Sequence, residues 1–209
     1  LNGGMIAMLP RFDAGQALAT IVRVKATAMP GVPTMYQALL DHPAIAHTDF
    51  SSLRVCISGG APMAVELKAR FEQVSGAKLV EGYGLTESSG VVSTNPYMAL
   101  NKPGTIGQPL AATQIRLLDK EDPTRLAPPG EPGELAVAGP QIMQGYWNRP
   151  EESAGVFQDG YLRTGDVAMV GRVTIDDAMK ASDLHDILAQ AGAGLMVRAI
   201  DALELGELK

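Results

Sequence analysis

In Gly82-Tyr83-Gly84-Leu85-Thr86-Glu87, groups suited to a base, a phosphate and a divalent cation stand within six residues. Tyr83 offers an aromatic face for stacking, Gly84 leaves room beside it, Thr86 offers a hydroxyl to a phosphate, and Glu87 brings a hard carboxylate oxygen that suits Mg²⁺. A Thr-Glu pair is also a common helix cap, and residue type alone leaves both readings open. A second stretch, Ser58-Gly59-Gly60-Ala61-Pro62, follows a strand-like segment and precedes a helix-like one. Its small residues let backbone approach a flat ligand with N–H groups facing outward, and a tight strand-to-helix turn accounts for them equally well.

Alternating helical and extended patterns position both stretches. Asp13 can cap a helix carrying Ala17, Leu18, Ile21 and Val22, and 26–29 reads as a short buried strand before the Pro30-Gly31-Val32-Pro33 turn. Pro33 suits the first turn of a second helix, 53–58 reads as a strand, and Pro62 starts a third helix with Ala64, Leu67, Phe71 and Val74 on one face. With 78–81 as the next strand, the order predicts a parallel-rich sheet flanked by helices, with ligands beyond the carboxyl ends of its strands. From Pro103 the pattern changes to short strands at 113–118, 134–138 and 161–164 between Pro/Gly turns, as in a small barrel or sandwich. Beyond 170 a strand at 173–175 and a helix from Ser182 form a tail. The expected class is therefore α/β: a partial parallel-rich sheet over 1–100, a barrel-like part over 101–170, and a strand-plus-helix tail over 171–209.

Composition narrows the function. The 209 residues are 46% hydrophobic, enough for a packed core. Lys+Arg 17 against Asp+Glu 23 gives net charge −6, which argues against a nucleic-acid partner. A lone cysteine, Cys56, forms no internal disulfide, and three scattered histidines give no zinc spacing, so a reducing, cytoplasmic setting is expected. No apolar run reaches the roughly 18 residues a membrane span needs. The chain begins at Leu1 with no signal-peptide pattern, which suggests a fragment.

Four ordered motifs carry a resemblance: Ser58-Gly59-Gly60-Ala61-Pro62, Gly82-Tyr83-Gly84-Leu85-Thr86-Glu87, the run from Gly139 through Gly145-Tyr146-Trp147-Asn148-Arg149-Pro150 to Glu151, and Tyr161-Leu162-Arg163-Thr164-Gly165-Asp166. Over residues 1 to about 170 the chain resembles the adenylate-forming (AMP-binding) superfamily, and within it long-chain fatty acyl-CoA synthetases. The resemblance implies ATP, Mg²⁺ and coenzyme A, with a fatty acid first joined to AMP and then passed to a thiol. It implies that Gly59, Gly60, Ala61 and Pro62 line an adenine pocket, that Glu81, Gly82, Tyr83, Gly84 and Leu85 border the nucleotide, and that Tyr83 packs on the base. Thr86 would touch the α-phosphate, Glu87 would hold Mg²⁺, and Asp166 would bind the ribose diol. Gly82, Gly84 and the Gly31-Val32-Pro33 turn, with Met35, Tyr36 and Val91 nearby, would border an acyl tunnel, although core packing explains each of these neighbours as well, Met35 above all. Tyr146 and Trp147 are expected to pack the barrel-like part rather than touch substrate. Peripheral membrane association of the parent enzyme is left open, as is oligomeric state.

Two family elements find no match here: a Ser/Thr/Gly-rich phosphate loop ending near a Lys, and the hinge and mobile domain with its catalytic Lys. After Val170 the sequence instead resembles a segment of methionyl-tRNA formyltransferases, which suggests a chimera; that enzyme's catalytic Asn, His and Asp are absent, and His185 reads as a helix residue. The expectation is an incomplete ATP-dependent fatty acid-CoA ligase that does not turn over alone. A non-catalytic remnant needing a partner, or a formyltransferase fragment, are the alternatives.

Overall fold

A computed structural model describes residues 3–99 and 101–169. The tail expected beyond 170 lies outside the described residues. The fold is mixed α/β, and the chain divides into two compact units. One comprises the residues up to Gly82 together with Asn95–Ile106, the other Tyr83–Thr94 together with the residues from Gly107.

The first unit opens on α1 (Ala14–Val24), capped by Asp13, whose carboxylate accepts from the Gln16 N–H at 2.8 Å. Ala17, Leu18 and Ile21 form its buried face, whereas Val22 stays exposed. β1 (Ala28–Gly31), two residues later than the sequence suggests, leads to α2 (Pro33–Asp41), with Pro33 in its first turn as expected. β2 (Val55–Ser58), α3 (Val65–Ser75) and β3 (Lys78–Leu85) follow. β1 pairs parallel with β2, and β2 with β3, in a register that aligns Gly31 and Ser58, the last residues of β1 and β2, with Glu81 of β3. This row is where parallel sheets receive ligands.

Tyr36 of α2 holds the first two strands together. It is fully buried, meets Phe71 edge-on at 4.9 Å, and its hydroxyl donates to the carbonyls of Met29 and Ile57, each at 3.0 Å. Gly31 lies flat on its ring, where a β-carbon would come within 3.1 Å. Burial pushes the Tyr36 phenol well above the ordinary tyrosine range and the Cys56 thiol up to about 12, so both stay protonated. Tyr36→Phe removes the donor shared by two carbonyls while keeping the ring, and should lower stability by about 1–2 kcal/mol in urea unfolding.

α3 starts at Val65 rather than at Pro62, because Ala64 is still extended (φ −64°, ψ 135°) and the turn after β2 takes three further residues. Its inner face also differs. Phe71 is buried as expected and Val74 is exposed, while Lys68 is buried. The Lys68 ammonium donates to the Leu79 carbonyl and pairs with Glu72 at 3.6 Å; Glu72 in turn accepts from the Leu79 N–H at 2.8 Å. Both polar groups of the Leu79 peptide are thus satisfied by α3 side chains.

In the second unit the last three residues of β3 continue as strand through 83–85, followed by a 3-10 turn over Thr86–Ser88 and β4 (Gly90–Thr94). The 82–87 segment is therefore not a loop, as its glycines suggest. Gly84 makes the extended path workable, since a β-carbon there would fall on the Gly90 carbonyl and within 2.9 Å of the Val91 Cα. The buried Ser88 hydroxyl closes the turn, accepting from the Leu85 N–H at 2.9 Å and donating to the Gly90 carbonyl at 2.7 Å.

β5 (Gln108–Pro109) pairs antiparallel with β4. β6 (Gln114–Leu118), β7 (Gly133–Ala138), α4 (Pro150–Gly155), β8 (Phe157–Gln158) and β9 (Tyr161–Ala168) complete the unit. They make a four-stranded antiparallel sheet in the order β6-β7-β9-β8. Val92, Leu135 and Val137 form one core of this unit, and Leu118, Ala136 and Tyr161 another. β9 is twice the expected length. It pairs with β7 at Ala136↔Arg163 and again at Glu134↔Val167, so residues 164–166 stand opposite Leu135 alone as a bulge. Among the described residues no helix is long and apolar enough to cross a membrane.

Candidate functional site

The bulge in β9 presents Asp166. Its apex, Gly165, has φ +77°, a left-handed conformation that glycine adopts without a Cβ penalty. The Thr164 hydroxyl ties the bulge to β7 by donating to the Leu135 carbonyl at 2.8 Å, and it accepts from the Asp166 N–H at 3.1 Å. The Asp166 side chain meets Tyr83 from β3: the phenol donates to Oδ2 at 2.6 Å. Partial burial, followed by the bond to Asp166, pushes the Tyr83 phenol above the ordinary tyrosine range. The structure thus joins two of the predicted site residues, 83 positions apart in sequence.

Glu87 sits in the 3-10 turn after β3, half-buried, and its Oε1 accepts from the Tyr146 phenol at 3.0 Å. The Glu87 carbonyl also accepts from the Met143 N–H at 2.8 Å. The glycine-rich segment around Gly145 is therefore pinned to the Glu87 turn through both main chain and side chain. Ser153 of α4 steadies it further, accepting from the Tyr146 N–H at 2.8 Å and donating to the Arg149 carbonyl at 2.6 Å. Tyr146 and Trp147 do not pack into the sheet, contrary to expectation. The bond to Glu87 holds Tyr146 at the surface and leaves Trp147 90% exposed.

A cavity of about 300 Å³ opens between these groups, lined by Glu87, Tyr146, Glu134, Arg163, Thr164 and Gly165 among others. Glu134 and Arg163 form an ion pair at 2.7 Å, and Glu134 also accepts from the Gly165 N–H at 3.2 Å. Thr86 is exposed beside Glu87.

Gly59, Gly60, Ala61, Pro62, Glu81 and Gly82 lie in the first unit, whereas Gly84 and Leu85 continue β3 in the second. Gly59 is pressed against β3, where a β-carbon would come within 3.3 Å of the Gly82 carbonyl. Its N–H is not free for a ligand, since it donates to the Gly31 carbonyl at 3.1 Å. Gly60 takes φ +77°, and Gly60, Ala61 and Pro62 are exposed. The Ser58 hydroxyl is buried with no hydrogen-bond partner. Glu81 is buried and accepts from the Gly104 N–H at 3.0 Å, and burial raises its carboxyl above the usual range.

Sequence reading missed Tyr146, Glu134 and Arg163 as contributors. Tyr146 and Arg163 stand inside motifs already singled out. Glu134 has no local signal, because its partners lie 29 and 31 residues away.

Residues 1–147 match the family model for AMP-binding enzymes. The chain belongs to this family. This AMP-binding family chain is 44% identical over 202 residues to a long-chain-fatty-acid–CoA ligase of Bacillus subtilis, covering 95% of its own length and 35% of the relative. Among solved structures, an anthranilate CoA ligase in complex with anthranoyl-AMP superimposes with TM-score 0.70 at 30% identity, covering 76% of this chain and 30% of the other. ATP-bound MatB from Rhodopseudomonas palustris gives 0.69 at 32% identity, covering 78% and 32%. The AMP-binding family chain therefore spans about a third of the length of the relatives it matches.

Proposed function

We propose that the chain is part of an ATP-dependent acyl-CoA ligase in which Tyr83 and Asp166 hold the nucleoside of ATP or AMP. The observation that carries this reading is the Tyr83–Asp166 hydrogen bond at 2.6 Å, which couples an aromatic ring to an exposed carboxylate on a strand bulge. An aromatic face can take a base while a neighbouring carboxylate accepts from two hydroxyls of a sugar, and a nucleoside asks for both at once. The turn at Gly60, Ala61 and Pro62 is exposed, with backbone available to a flat ligand, and Gly84 and Leu85 follow Tyr83 along the same strand.

Thr86 and Glu87 would then face the phosphates. The donor set fits Mg²⁺ bound through substrate: among the described residues there is no cluster of three or more His, Cys, Asp or Glu, and Mg²⁺ is usually held by one or two carboxylates plus phosphate oxygens and water. Glu87 would supply that carboxylate, with Oε1 steadied by Tyr146. When bound, the cation neutralises charge on the phosphates. The protein's own share is orientation: Thr86 toward the α-phosphate, Asp166 and Tyr83 on the nucleoside. The similarity to a fatty-acid ligase supports a long-chain acid as the carboxylate partner and coenzyme A as acceptor.

The test is calorimetric titration of the purified chain with AMP and with sulfamoyl-adenosine mimics of a long-chain acyl-adenylate and an aromatic one. Saturable AMP binding, with the long-chain mimic tightest, is expected; no binding of any of the three overturns the proposal. Given ATP, Mg²⁺, coenzyme A and a long-chain acid, the 209-residue chain alone is expected to release no pyrophosphate. The cationic groups that clamp the outer phosphates are not among its matched motifs.

A further inference from the structure

We propose that Glu134 is a positioning residue for the nucleoside: its carboxylate fixes the Gly165 peptide and thereby aims Asp166 at the ribose. This rests on the reading of Asp166 as the ribose-binding group. The two oxygens of Glu134 divide the work. Oε2 accepts from Arg163 twice, from Nε at 3.0 Å and from Nη2 at 2.7 Å, and Oε1 accepts from the Gly165 N–H at 3.2 Å. An ion pair between neighbouring strands needs only the first of these. The second goes to a peptide that the bulge has lifted out of the β7–β9 ladder, where its N–H would otherwise face solvent and fix nothing. Gly165 has the widest conformational freedom of any residue type and stands immediately before Asp166. Without an anchor on its N–H, the peptide can rotate and carry the carboxylate away from Tyr83. Glu134 is well placed to prevent this, with a side chain only 14% exposed on a strand whose neighbours form the core.

The experiment uses the full chain, with Glu134→Ala, Glu134→Gln and Asp166→Asn variants. Affinities for AMP and for 2′,3′-dideoxy-AMP are measured by calorimetry, and Tyr83 is followed by ¹³C-tyrosine NMR titration, its signal assigned with Tyr83→Phe. Glu134→Ala should weaken AMP about tenfold, leave dideoxy-AMP unchanged, and move the Tyr83 ionisation toward the ordinary tyrosine range while the Tyr36 signal stays in place. Glu134→Gln retains an acceptor for Gly165 and should recover part of the ribose preference; it also stands in if the alanine variant does not fold. Equal loss for both nucleotides, or unchanged affinities with an unmoved Tyr83 signal, overturns the proposal. The two readings separate cleanly. Loss of ribose preference in Asp166→Asn but not in the Glu134 variants removes the positioning role and leaves the ribose role standing. A moved Tyr83 signal in a chain with no ribose preference does the opposite.

Discussion

Gly84→Ala should be the most damaging single methyl group in the chain, lowering unfolding stability by about 3 kcal/mol and abolishing AMP binding with it. The added carbon would fall on the Gly90 carbonyl, with the Val91 Cα 2.9 Å away. Both obstacles are backbone, so no side chain can swing aside. The strain would be relieved only by parting the end of β3 from β4, which displaces Tyr83 on one side of residue 84 and the Thr86–Ser88 turn on the other. Urea unfolding measures the loss. Gly155→Ala is the control, because a β-carbon at Gly155 meets nothing within 4 Å and residue 155 is helical. That change should be neutral or stabilise by up to about 1 kcal/mol. Equal stability of the two variants would contradict the close approach of β3 and β4.

Asp166→Asn should weaken AMP binding by about one to two decades while leaving the fold in place. The amide keeps the size of the carboxylate but loses the charge, and each charge-assisted bond to a sugar hydroxyl is worth roughly 1.5–3 kcal/mol. Asp166 is exposed, so little packing is at stake. Calorimetry with AMP gives the affinity and thermal unfolding the stability. A pH effect accompanies it. The folded chain keeps the Tyr83 proton to higher pH than the unfolded chain, so this contribution is intact below pH 10.0, the ordinary tyrosine value, and declines as pH rises above it. Asp166→Asn removes the negative charge that helps hold the proton, and the alkaline loss of stability should become shallower. A variant that binds AMP as tightly as the parent would remove Asp166 from the nucleotide site.

Features that depend on neighbours in sequence were legible before any coordinates. The Asp13 cap and Pro33 at the start of α2 followed from local backbone chemistry, and the parallel sheet followed from alternating patterns. Features that depend on a distant strand were not. Glycines at 82 and 84 suggest a turn when read alone; only the presence of β4 explains why the strand needs them. Lys68 shares a helical face with Ala64 and Phe71, yet its charge argues for solvent, and its burial makes sense only once the Leu79 peptide is seen to lean on α3. The nucleotide residues were proposed from motif resemblance, since nothing in the spacing of Tyr83 and Asp166 reveals that they touch. Trp147 was misread because a large aromatic residue in a barrel-like stretch is ordinarily inside.

The bulge in β9 inserts two residues, and that number is even. Side chains alternate across a strand with a period of two, so Ala168 returns to the same face of the sheet as Leu162, packing with Leu135 and Val137 as though the ladder had never been interrupted. A one-residue excision would invert everything downstream, whereas removing Gly165 and Asp166 together would restore an unbroken ladder and delete the carboxylate with it. Parity therefore lets the chemistry of this strand be gained or lost without disturbing the architecture that carries it.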